Sequence, residues 1–150
     1  MKIIHIDTSI LVSPLLDKGD KKQSAGKTLY NIIKSGDYHI RISQVVIGEA
    51  ISNIYEKSRN DMIDSNMNKF IDTLFKLKAE IKPLNKNIVE SALGLHEIDN
   101  RIDFCDCIII ATAMIDNADI LLMRSSEYVE SEKLRNYIKG RSGVKITDTL

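Results

Sequence analysis

Tryptophan is absent, aromatic side chains make up 5% of the chain, and only two prolines and two cysteines occur among 150 residues. Each shortage excludes something. A core without aromatic bulk must be aliphatic, and isoleucine, present 24 times, supplies much of it. The two thiols, Cys105 and Cys107, stand two residues apart, where helical side chains point in different directions. They lack the paired C-x2-C spacing of a zinc ribbon and read as two small apolar side chains. No segment approaches the roughly 18 apolar residues of a membrane span. The opening Met1–Asp7 has no apolar core of a secretory signal, so a cytoplasmic protein with no membrane partner is expected. Internal repeats and low-complexity runs are also missing, and the length suits one domain over residues 1–150.

Excess charge is the other absence. Basic and acidic residues number 21 each, and this balance counts against nonspecific binding to nucleic acid, which draws on a basic footprint. The charge is nevertheless unevenly spread. Residues 101–130 hold two basic and six acidic side chains, and residues 131–150 hold five basic and two acidic. An acidic patch beside a basic tail suits a metal site with a phosphate-holding rim, and equally suits a solvated surface.

Apolar residues form 43% of the chain, arranged in short β-rich runs that alternate with helical periodicities. Strands are expected at Lys2–Ile6, Tyr38–Ile42, 80–84, Asp119–Met123 and Val144–Thr147. Helices are expected at Thr8–Leu16, 21–35 (stopped by Gly36), 44–58 (capped by Ser43), 61–78, 86–98, 104–116 and 130–139 (ended by Gly140). Within them, Leu29, Ile32 and Ile33, then Val46, Ala50, Ile51 and Ile54, then Met67, Phe70, Ile71, Leu74 and Leu77 form apolar stripes. Strands alternating with helices predict an α/β fold with a mainly parallel sheet covered on both faces.

Three acids sit in apolar surroundings. Asp7 ends the first strand, and in parallel sheets ligands bind beyond the carboxyl ends of the strands. Glu49 interrupts Val45-Val46-Ile47-Gly48 and Ala50-Ile51, and Asp106 precedes Cys107-Ile108-Ile109-Ile110-Ala111. Acids are almost never buried unless paired or bound to metal, and clustered carboxylates repel until a cation neutralises them. Hard oxygen donors select Mg2+ or Mn2+. The three carboxylates are therefore expected to converge at one end of the sheet. Plainer roles stay open: Asp7 as a helix cap, Glu49 on a solvent face, Asp103 as the cap of the helix that carries Asp106. His5, inside a strand, reads as structural.

Ile6-Asp7-Thr8-Ser9, then Ile42-Ser43-Gln44-Val45-Val46-Ile47-Gly48-Glu49, then Asp106-Cys107-Ile108-Ile109-Ile110-Ala111-Thr112-Ala113 follow one another in an order that resembles the PIN-domain family, in particular its VapC-type toxin branch. The resemblance implies a three-layer α/β/α fold and an endoribonuclease dependent on Mg2+ or Mn2+, with RNA as substrate. It also implies a homodimer and, in the toxin branch, an antitoxin partner. By position it assigns catalytic and metal-binding roles to Asp7, Glu49 and Asp106, adds Asp103 as a further metal ligand, and places Thr8, Ser9 and Ser125 at the substrate.

One stretch departs from the family pattern of Leu-Val-Thr-x-Asp. In Leu121-Leu122-Met123-Arg124-Ser125-Ser126-Glu127, Ser125 stands where a fourth Asp is expected, and Glu127, two residues on, either replaces it as a metal ligand or is a surface loop residue. With zero net charge, this departure keeps a second reading open: a catalytically weak PIN domain that binds RNA or serves as a scaffold. A small phosphotransfer module fits less well, because Asp7-Thr8-Ser9 lacks the second acid such sites carry near the first strand.

Overall fold

The computed structural model describes residues 1–150. In chain order it contains β1 (Lys2–Ile6), α1 (Thr8–Leu11), α2 (Ser13–Leu16), α3 (Gly19–Ser35), β2 (Tyr38–Ser43), α4 (Gln44–Lys57), a 3-10 turn (Asn60–Met62), α5 (Ile63–Leu77), β3 (Glu80–Lys82), α6 (Lys86–Ile98), α7 (Phe104–Ile115), β4 (Ile120–Leu122), α8 (Ser126–Glu130), α9 (Glu132–Arg141) and β5 (Lys145–Thr147). The five strands make one sheet in the order β3-β2-β1-β4-β5, and every pairing is parallel. Helices sandwich this sheet in a three-layer α/β/α arrangement.

Parallel strands are covered on both faces, which is why β1 buries Ile4, His5 and Ile6 in succession instead of alternating. From β1 the chain moves outward through β2 and β3, then returns to build β4 and β5 on the other flank. Such a reversal opens a crevice beyond the carboxyl end of the strand where it occurs. Asp7 stands at that end. Its N–H bonds to the Leu122 carbonyl at 2.9 Å, which extends the β1–β4 pairing by one residue.

Several boundaries differ from the sequence expectations. The predicted Thr8–Leu16 helix breaks at Val12 into two four-residue turns, with Pro14 opening the second. Helix α9 runs through Gly140 and stops at Ser142, because Gly140 keeps an ordinary helical φ that any residue adopts. Short α8 had no apolar stripe to announce it and buries no residue. The buried stripes are narrower than the apolar ones: Val46, Ala50 and Ile54 are buried at i, i+4 spacing, whereas Ile33, Ile51 and Ile71 lie exposed beside theirs.

Gly36 ends α3 in the left-handed region, φ 65°, with its N–H on the Ile32 carbonyl. A Cβ there meets no atom within 4 Å, so the cost of substitution is confined to the backbone. Gly36→Ala should lower stability by about 1 kcal/mol, read as a fall in the urea midpoint with an unchanged m-value. An unchanged midpoint would show that α3 ends without that conformation.

Candidate metal centre

Asp7 is 4% exposed and caps α1: its Oδ2 accepts the Ser9 N–H at 3.2 Å and the Ser9 hydroxyl at 2.6 Å. Oδ1 is buried and has no hydrogen-bond partner. A buried carboxylate oxygen left unpaired is costly and calls for an explanation. Ser9 in turn accepts the Arg124 N–H at 3.0 Å, so the segment leaving β4 fixes the Asp7 side chain through one hydroxyl. The Arg124 guanidinium holds Ser13 Oγ at 2.9 Å and the Lys21 carbonyl at 2.8 Å, clamping that segment to α2 and α3. Sequence reading overlooked Arg124, since an arginine after a short strand looks like any surface cation.

Glu49, half-buried on α4, accepts the Thr8 hydroxyl at 3.0 Å. Thr8 and Ser9, placed at the substrate by resemblance, thus direct their hydroxyls at the carboxylates of Glu49 and Asp7. At the start of α7, Asp103 accepts the Cys105 N–H at 2.8 Å as the N-cap, and Asp106 follows in the first turn. Both acids suit the positive end of the helix dipole. Ligand atoms of Glu49, Asp103 and Cys105 lie within 4.8 Å of one another. The two thiols diverge: Cys107 is fully buried in the core, while half-buried Cys105 joins the acids. Spacing alone separated their directions but could not say which faced the carboxylates.

Ser125, at the expected fourth-Asp position, is the N-cap of α8 and accepts the Tyr128 N–H at 3.2 Å. Exposed Glu127 accepts from Ser126 Oγ at 3.2 Å. Asp106, Ser125 and Glu127 line one cleft of about 710 Å³, together with Lys21, Arg124 and Asp148.

The electrostatics follow from this crowding. Burial, then the charges of Asp7, Asp103, Glu49 and Glu127, push the Asp106 carboxyl up to about 7. Burial raises Asp7 against the opposing hydrogen bonds from Ser9, and burial followed by the charges of Asp7 and Asp103 raises Glu49. No ion pair reaches Asp7, Glu49, Asp103, Asp106 or Glu127.

Asp116 at the far end of α7 makes the contrast. It meets His5 Nε2 at 2.7 Å, Arg41 at 2.8 Å and Lys82 at 3.4 Å. Burial would raise its carboxyl, but the hydrogen bonds from His5 and Arg41 outweigh that and hold it below the usual range. Its charge is answered within the protein. The charge of the first cluster is not, and the unpaired Asp7 oxygen with the carboxylates of Glu49 and Asp106 fits a hard divalent cation.

The profile of the PIN domain matches residues 4–136. No curated protein sequence matches the chain. Among solved structures, FitAcB from Neisseria gonorrhoeae superposes with a TM-score of 0.69 at 13% identity, covering 96% of each chain. VapBC2 from Rickettsia felis, bound to a DNA fragment from its promoter, gives 0.63 at 18% identity, again over 96% of each. VapC20 of Mycobacterium tuberculosis, a toxin that cleaves the Sarcin-Ricin loop, gives 0.64 at 13% identity over 84% of this chain and 92% of its own. At such identities the likeness is one of fold.

Proposed function

The chain belongs to the PIN-domain family, and from that premise we propose that it is a Mg2+- or Mn2+-dependent endoribonuclease, the toxin of a toxin–antitoxin pair. The observation that carries the reading is the buried, unpartnered Asp7 Oδ1 within a carboxylate cluster that no basic side chain neutralises. Asp7, Glu49 and Asp106 would hold the cation, with Asp103 and Glu127 at its margin. A bound Mg2+ or Mn2+ supplies positive charge against the charge that develops on a phosphodiester during displacement.

The chain's own residues would then divide the work. Ser9 orients Asp7 by occupying Oδ2, and Thr8 orients Glu49, so both act as positioning residues. Asp106, titrating near neutrality without a cation, takes up a proton or a cation in competition. Lys21 and Arg124 are the basic residues that line the same cleft, and they would meet an incoming phosphate there. We read residues 1–150 as one PIN unit, since β5, beyond the matched residues, pairs with β4. The toxin reading, with an RNA substrate, an antitoxin partner, a homodimer and a cytoplasmic location, draws on the kinship of fold. It also draws on the absence of any helix long and apolar enough to cross a membrane.

Ser125 favours the second reading, a catalytically weak PIN domain that binds RNA or serves as a scaffold, because a neutral hydroxyl stands where a fourth anion is expected. The test is cleavage of a mixed RNA pool with Mn2+ titrated. Ser125→Asp keeps a competent N-cap for α8 and adds an anionic oxygen to the cleft. It should tighten Mn2+ binding and raise cleavage by about tenfold. If Glu127 already supplies that anion, Ser125→Asp will change little and Glu127→Gln will reduce cleavage. No cleavage by the wild type or by Ser125→Asp across the pool would establish the scaffold reading instead.

A further inference from the structure

Four cations converge on a small hollow outside the carboxylate cleft. Lys22 on α3, Lys57 at the end of α4, Arg59 just beyond it and Lys69 on α5 line a cavity of about 280 Å³, and no acidic residue lines it with them. Lys22, Lys57 and Lys69 form no ion pair. Arg59 meets only Asp61, at 2.9 Å, and the two side chains are 82% and 64% exposed. Such a pair is worth little in water and yields to a better anion. Charges of one sign gathered round one hollow repel, and an anion seated among them removes that cost.

The lining also carries a neutral donor. Asn66, 6% exposed, donates from Nδ2 to the Ser58 hydroxyl at 3.0 Å. Ser58 lines the hollow too, and accepting that bond leaves its own O–H for a ligand beside the four cations.

Helix α3 sets where the hollow lies. Lys21 lines the cleft that holds Asp106, Ser125 and Glu127, and Lys22, the next residue, lines the basic hollow. Neighbouring Cα atoms stand about 3.8 Å apart, so the two openings share the first turn of α3 as a common rim. A chain of phosphates leaving the cleft past Lys21 reaches Lys22 next. An acidic peptide would answer the same charge, but the shared rim favours RNA, whose backbone continues from one opening into the other.

We propose that this hollow is a distal phosphate subsite, which holds the backbone of an RNA strand beside the carboxylate cleft. The inference rests on the proposed reading of the chain as a PIN protein that acts on RNA. It reconciles zero net charge with a polyanionic substrate, because attraction comes from a local group of cations and not from the total.

The test uses the full chain and labelled single-stranded RNA of mixed sequence, with fluorescence anisotropy read in EDTA so that no cleavage intervenes. Lys57→Gln combined with Lys69→Gln should weaken binding by about tenfold at low salt, and should lower the slope of log affinity against log salt by about 0.7 for each lost contact. Lys57→Arg combined with Lys69→Arg should bind like the wild type. Lys34→Gln, roughly 18 Å along α3 from Lys22, removes the same charge elsewhere and should lose little. In Mn2+ the loss in the double Gln variant should appear as a higher KM for RNA. An unchanged salt slope in that variant, or an equal loss in Lys34→Gln, overturns the subsite. So does a double variant that loses affinity for an oligoglutamate peptide and keeps it for RNA, which makes the hollow a protein-docking site. RNA held through these lysines without any cleavage keeps the subsite and removes the nuclease reading. Cleavage indifferent to them does the reverse, and no RNA binding or cleavage by the wild type removes both.

Discussion

Asp7→Asn should reduce Mn2+-dependent RNA cleavage by at least about a hundredfold, the scale on which loss of one fixed group at a transition state is felt, while the metal-free protein melts no lower than the wild type. The two halves of this expectation come from different oxygens of one side chain. Asparagine keeps a carbonyl oxygen for the Ser9 hydroxyl and N–H, so the cap of α1 and its tie to β4 survive. What disappears is the buried negative charge at Oδ1, which has no partner in the protein. Removing an uncompensated buried charge relieves a cost. A packing defect would lower activity and melting temperature together, so lost activity with retained stability identifies a functional carboxylate. Cleavage by Asp7→Asn at the wild-type rate would end the metal-centre reading for this residue.

The second large effect is a divergence of melting curves with pH. Asp106 moves from an ordinary 3.8 to about 7, and Asp7 and Glu49 are raised as well. For a carboxyl raised by folding, the native state binds more protons than the unfolded one between the two values. Stability therefore falls as pH rises through that window. Without a cation, the cluster should cost stability progressively between about pH 4 and pH 7, by at most about 4 kcal/mol from Asp106 at about 1.4 kcal/mol per unit.

With Mn2+ the sign reverses, because a cation that binds only the native state adds stability by mass action and protons compete with it. His5 complicates a single curve. Burial lowers its pKa from 6.5 despite Asp116, so its contribution is present above 6.5 and lost as pH falls below that value. Since His5 acts equally in both conditions, the difference between melting in Mn2+ and in EDTA isolates the cluster. That difference should widen by at least about 5 °C between pH 5.5 and pH 8, given about 2–4 °C per kcal/mol at this size. Parallel curves would show that Mn2+ binds elsewhere or not at all.

How far these features could be read in advance depends on the kind of signal each leaves. Helix α6 matched its expected span at Lys86–Ile98, because Asn85 caps it and its periodicity is clean. The break at Val12 left no trace, since a short helix and two consecutive turns share the same apolar residues. Asp7, Glu49 and Asp106 stood out because an acid inside an apolar run contradicts burial statistics, and that contradiction is visible in one dimension. The cap role of Asp103 was equally legible from its place at the start of the helix. By contrast, the clamp from Arg124 to Ser9, Ser13 and Lys21 spans more than a hundred residues. The pairing of His5 with Asp116 spans 111. Nothing local marks either partner, and only the packing of β1 against β4 brings them together.

That packing also sets a timetable. β1 finds β2 within the first 43 residues, so a nascent chain can start its sheet early. The other neighbour of β1 arrives only with Ile120–Leu122, and the Arg124 N–H that steadies Ser9 comes later still. Until then Asp7 lacks its backbone bond to Leu122, and the cleft has no wall from Ser125 and Glu127. All three principal acids are translated by residue 106, yet the strand and segment that wall the cleft around them follow only from Ile120 to Glu127. A nascent chain thus carries its three acids before the cleft around them has its walls.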